Sequence, residues 1–281
     1  MIESPFGKAN WYPHDKETLI SDLKGYLQNG PNYESHQIQA IICPHAGYKY
    51  CGSVIGHAMS AIKDQNINHI IILGPSHKTY LKEKFITPDT TQFKTECGSS
   101  NINNEFIQSL EKIGGHQRNQ KLFESEHSIW MMLPFIHLLH PNTSISPIII
   151  GDISRQQSQA IANQISQFSS NDTLIVISTD FTHYGYQFDY VPFTANIPNE
   201  IAAIDNKAFQ FIATKDSDGF WDWYHSVKTT ICGRHSISVL LDYMNNNHHV
   251  MNKSYLQSGQ LTNDWSHSVS YKSAIIGVEM L

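Results

Sequence analysis

Short unbroken apolar runs alternate along this chain with longer stretches in which apolar residues recur every three to four positions. The runs at 37–43 (QIQAIIC), 69–73 (HIIIL), 146–151 (SPIIIG) and 173–178 (TLIVIS) are rich in isoleucine and too short for helices. Each predicts a strand buried on both faces. Helical spacing marks 52–63, 104–113, 128–139, 155–168, 199–213 and 233–245. The tail predicts two more strands, 250–258 and 268–280, able to pair antiparallel at a sheet edge. Strands of this kind separated by helices predict a single three-layer α/β/α sandwich with a mixed, largely parallel sheet.

Composition narrows the setting. At about 150 residues per domain, 281 residues are compatible with two domains or with one large α/β domain. No linker, repeat or extended low-complexity segment divides the chain, so one domain over 1–281 is expected. Apolar residues make up 40% of the sequence, enough for a sizeable core. Nineteen basic against 25 acidic side chains give a net charge of −6, which argues against a nucleic-acid surface. No apolar run approaches the ~18 residues of a membrane span, and the first residues lack the order of a signal peptide. A cytoplasmic protein with reduced thiols is the expectation, since four cysteines without a CxxC pair form no disulfide scaffold.

The chemistry collects immediately after the predicted strands. Pro44-His45-Ala46-Gly47-Tyr48 follows the first, Gly74-Pro75-Ser76-His77 the second, and Thr179-Asp180-Phe181-Thr182-His183-Tyr184 the last of the four. Ligands of open α/β sheets bind at the carboxyl ends of strands, which places His45, His77, Asp180 and His183 at one expected site. Thr229-Thr230-Ile231-Cys232-Gly233-Arg234-His235 precedes an apolar helix. A helix N-terminus and the neighbouring Arg234 would both favour the Cys232 thiolate. Thiolate plus imidazoles suits iron or copper, with zinc also possible, and disfavours magnesium or calcium. Each residue alone also has an ordinary structural reading: a hydrogen-bonded histidine, a small buried cysteine, a capping aspartate. A second chemistry uses Cys232 as a thiol nucleophile with His183 as base and Asp180 as its orienter, leaving His45 and His77 without a task. His14, His36, His57, His69, His116, His248 and His249 read as surface or packing residues.

At these residues the sequence resembles the Memo family, the mediator of cell motility group and the Memo component of AmmeMemoRadiSam systems. The resemblance runs through Lys8-Ala9-Asn10-Trp11-Tyr12-Pro13, PHAGY at 44–48, GPSH at 74–77, EHS at 126–128, TDFTHYG at 179–185, TICGRH at 230–235 and the closing strand. It implies a fold similar to class III non-haem extradiol dioxygenases. It further implies a metal set of His45, His77 and Cys232, with Asp180 lining the pocket and His183 as acid/base. Tyr48, Arg234, Glu126 and His127 are candidate ligand contacts. The expected function is a metal-binding redox protein with dioxygenase-type chemistry on a small molecule. A non-catalytic scaffold that binds peptide or metal, or that serves AmmeMemoRadiSam-type partners, is the alternative. Two departures stand out. The third ligand position is a cysteine where the dioxygenases use a carboxylate, and a thiolate is itself oxidisable. Trp130 stands where the family commonly has Glu, which would make a pocket lined by that position drier.

Overall fold

The computed structural model describes residues 1–28, 30, 33, 35–251 and 253–280. Its main sheet contains eight strands: β1 (His36–Cys43), β2 (His69–Pro75), β3 (Phe85–Thr87), β4 (His116–Arg118), β5 (Ser144–Ile150), β6 (Thr173–Ser178), β7 (His249–Met251) and β8 (Ala274–Glu279). Their order across the sheet is β7-β8-β1-β6-β2-β5-β3-β4. The four central strands, β1, β6, β2 and β5, run parallel, and β8 and β3 flank them antiparallel. The predicted mixed, largely parallel sheet is therefore present.

Alternation along these strands, shifted once in β1 by a bulge at Gln39, explains the layers. On one face Ile38, Ile41, Ile70, Ile72, Leu174 and Val176 pack with residues of helices Lys16–Leu27, Tyr48–Ser60 and Leu133–Leu139. On the other, Ala40, Ile42, Ile71, Leu73, Ile175 and Ile177 meet helices Arg155–Phe168, Ile197–Thr214, Ser217–Ser226 and Arg234–Tyr243. Successive side chains of a strand point to opposite faces, so only a sheet covered on both sides accommodates such uninterrupted isoleucine runs. Each fully buried Ile contributes roughly 1.5–3 kcal/mol of transfer free energy.

Differences from the predicted elements have local causes. The helix expected over 128–139 is two, His127–Trp130 and Leu133–Leu139, because Pro134 has no amide to continue the ladder. Helix Ser217–Ser226 lies between the two predicted helices 199–213 and 233–245: its glycine and aromatic residues are weak helix formers, yet Asp216 caps it by accepting from the Gly219 amide at 2.8 Å. The closing run divides at Ser273 into His267–Lys272, which pairs with His183–Gly185 and Tyr255–Gln257, and β8. The strand expected over 250–258 likewise divides into β7 and Tyr255–Gln257; Asn252, inside it, lies outside the described residues. Among the described residues, no helix is long and apolar enough to cross a membrane.

Candidate metal centre

Because β1, β6 and β2 are adjacent and parallel, the segments leaving their carboxyl ends emerge side by side. His45 lies two residues past β1, His77 two past β2, and Asp180 and His183 follow β6. The structure brings His45 and His77 together with His127, the first residue of the short helix after Glu126. One ring nitrogen from each of the three lies within 4.8 Å of the others. The His77 and His127 rings stack at 4.3 Å, and His45 stands edge-on to both, at 5.1 and 5.2 Å. His45 is fully buried whereas the His77 side chain is 27% exposed, so the cluster opens to solvent on the His77 side.

Hydrogen bonds fix which nitrogen each ring presents. Ser178 Oγ donates its one proton to the Ser128 carbonyl at 2.5 Å, so it must accept from His45 Nδ1 at 2.8 Å. His45 Nε2 is then unprotonated and carries a lone pair, and burial, aided by the neighbouring imidazoles, holds this ring neutral with a pKa well below the ordinary histidine range. His77 Nδ1 donates to Glu126 Oε1 at 2.9 Å and its backbone amide to Oε2 at 2.5 Å. Burial by itself would lower the His77 pKa; hydrogen bonding to Cys232 and Glu126 outweighs it and raises the value to about 10. Burial would push the Glu126 carboxyl up, but the bond and charge of His77 hold it below its ordinary value. Burial, joined by the charge of His77, lowers His127 to about 4.

Cys232 reaches the same place from the other core face. Its sulfur lies 3.3 Å from His45 Nε2 and accepts the Asp180 backbone amide at 3.2 Å. Gly233 permits that approach: a Cβ there would stand 2.4 Å from Thr179 Cβ, and its amide donates to Thr179 Oγ1 at 3.0 Å. Arg234, expected beside the thiol, instead lies over the Tyr224 ring at 6.0 Å.

Asp180 and His183 serve different parts of the site. The buried Asp180 carboxylate accepts the His45 backbone amide at 2.8 Å, and burial raises its pKa to about 7. It clamps the turn that carries His45. The His183 ring is oriented by main-chain carbonyls instead: Nδ1 donates to Phe181 and Thr230, both at 2.9 Å, leaving Nε2 as an acceptor. Burial lowers His183 to about 4. The nucleophile arrangement that needed Asp180 to orient His183 is therefore absent.

Among the remaining candidates, Tyr48 is a core residue whose hydroxyl donates to the Met131 carbonyl at 2.8 Å. Glu126 is a partner of His77, and His127 a member of the cluster. Trp130 is fully buried against Phe93, with its indole N–H given to the Phe123 carbonyl at 2.6 Å. It is a core residue. Sequence reasoning missed Ser178 and the role of Trp11, whose ring packs 4.6 Å from His127. Trp11 stands in the KANWYP segment, so a signal existed, but its contact with His127 joins residues over a hundred positions apart.

An α/β sandwich with an imidazole cluster at the carboxyl edge of its parallel strands defines the class. Within that class, the chain belongs to the Memo-like family: the family model described as Memo-like protein matches residues 7–275. It is 31% identical to Protein MEMO1 of Danio rerio and 30% identical to that of Homo sapiens, over 95% and 96% of this chain and 95% of each relative. It is 30% identical to the memo-1 homolog of Caenorhabditis elegans over 96% of this chain and 81% of that one. In fold it is similar to a crystal structure of an uncharacterized protein from Escherichia coli K12. That likeness has a TM-score of 0.50 at 8% identity and covers 84% of this chain and 99% of the other.

Proposed function

We propose that this chain is a metal-binding redox protein whose dioxygenase-like pocket holds an iron or copper ion through His45, His77 and Cys232. The observation that carries the reading is the contact of Cys232 sulfur with His45 Nε2 at 3.3 Å, beside the His77 ring, which stands 5.1 Å from that of His45. The donor set fits such an ion. Two imidazoles whose Nδ1 atoms are engaged by Ser178 and Glu126 have the outer support typical of metal-ligating histidines, and soft sulfur with nitrogen suits iron or copper. When bound, the ion supplies one-electron chemistry and Lewis-acid activation of a small ligand.

The chain's own residues do the rest. Asp180 holds the His45 turn, and Glu126 holds both the ring and the backbone of His77. His183, neutral with Nε2 unoccupied, accepts a proton from a ligand and returns it. His127 stacks on His77 and, with Trp11, walls the opening.

The nitrogen cluster favours a second reading, in which His127 replaces Cys232 and the site is an all-imidazole zinc centre. Cobalt(II) substitution separates the two. A sulfur-to-cobalt charge-transfer band in the wild type that is lost in Cys232→Ser and kept in His127→Ala supports the thiolate set. A spectrum without that band, altered by His127→Ala alone, overturns it.

A further inference from the structure

Asp205 sits inside helix Ile197–Thr214, fully buried, on none of the segments that supply the metal cluster. A buried carboxylate is costly unless its oxygens are satisfied, and these are. Oδ1 accepts both the backbone amide and the hydroxyl of Thr182, at 3.1 and 2.6 Å, and Oδ2 accepts the Tyr255 hydroxyl at 2.7 Å. Tyr255 is itself held by Gln257 Nε2 at 2.8 Å, which also donates to the Pro198 carbonyl. Lys272 lies over the Phe209 and Tyr255 rings and donates to Asn206 Oδ1 at 3.0 Å, placing a cation near the carboxylate.

The residue this network grips is the one immediately before His183. Thr182 is pinned from the other side by Ser270, whose amide donates to its carbonyl at 2.9 Å while the Ser270 carbonyl accepts the Phe181 amide at 2.9 Å. The Phe181 carbonyl is one of the two acceptors that fix the His183 ring. Movement of Thr182 therefore moves an acceptor of His183 Nδ1, while the other, on Thr230, stays on a separate segment. We propose that Asp205 is a positioning residue: by holding Thr182 it sets the ring orientation and the Nδ1–H tautomer of His183, keeping Nε2 aimed at the site as an acceptor.

This inference rests on reading His183 as the proton-moving group, so the test uses protein stripped of metal with a chelator and stands or falls apart from metal identity. Ring nitrogens of 15N-histidine-labelled protein report tautomers, with the His183 signal assigned by its loss in His183→Gln. The wild type is expected to show the Nδ1–H form. Asp205→Ala is expected to raise the Nε2–H fraction of His183 about fivefold, the scale of one lost orienting hydrogen bond. Asp205→Asn, which keeps an oxygen for Thr182, stays near wild type. Ile161→Ala, a buried change on helix Arg155–Phe168, serves as a control for general loosening. If Asp205→Ala does not fold, Thr182→Val, which removes the shorter bond, must show the same change in smaller measure. An unchanged tautomer in the folded variants, or an equal change in Ile161→Ala, overturns the proposal.

Discussion

Glu126 binds His77 twice, accepting its ring Nδ1 at 2.9 Å and its backbone amide at 2.5 Å. One fully buried carboxylate thereby fixes both where the imidazole sits and which nitrogen it offers. Outer partners of this kind typically set metal affinity by about 10–100-fold. Glu126→Gln is therefore expected to weaken metal binding by about that factor, read by competition with a chromophoric chelator. Unaltered affinity would show that the Glu126–His77 pair does not support the centre.

Asp180 acts on the backbone rather than on an imidazole, and its substitutions should divide accordingly. Asp180→Ala leaves the buried His45 amide without its acceptor, at a cost of about 1–3 kcal/mol in urea unfolding. Asp180→Asn keeps an oxygen for that amide and removes a buried carboxyl whose pKa burial has raised to about 7, so above pH 7 it should be markedly less destabilising than Ala. Equal losses for Ala and Asn would contradict the clamp.

Trp130 separates core from site. The account predicts that Trp130→Ala costs about 3–5 kcal/mol, as large aromatic truncations do, while leaving metal stoichiometry at the wild-type level in the folded fraction. A proportionate loss of metal would place Trp130 in the site instead.

Acid should weaken the fold through histidines far from the cluster. His69, bonded to Ser146 Oγ, and His137, bonded to Thr95 Oγ1, are both lowered to about 4 by burial. Unfolding returns each to the ordinary range near 6.5. Between pH 6.5 and about 4 the unfolded chain thus binds more protons, and stability falls as pH falls. Each contributes on the order of 3 kcal/mol at most over that window, with little further change from these groups below it. Urea midpoints from pH 8 to pH 4 check this; a midpoint independent of pH would contradict it.

The parallel core was legible because isoleucine runs such as 69–73 and 173–178 leave no polar face to expose. With parallel order established, His45, His77, Asp180 and His183 had to emerge at one edge. What stayed illegible depends on tertiary approach. His127 belongs to a four-residue helix rather than a strand end, and nothing in its local pattern places its ring on His77. Asp180 reads as a partner for an imidazole, but its carboxylate is occupied by the His45 amide. Arg234 stands two residues after Cys232, yet Cys232 precedes the Gly233 cap while Arg234 opens the helix, and its side chain goes to Tyr224.

The central claim is that His77 and Cys232 belong to one metal set, and metal content tests it most directly. Wild type, His77→Ala and Cys232→Ser, each dialysed to equilibrium against buffered iron(II) or copper(I) under argon, are analysed for metal per folded chain. The account predicts one ion per chain in the wild type and a large loss in both variants. Equal, substoichiometric metal in all three would contradict it.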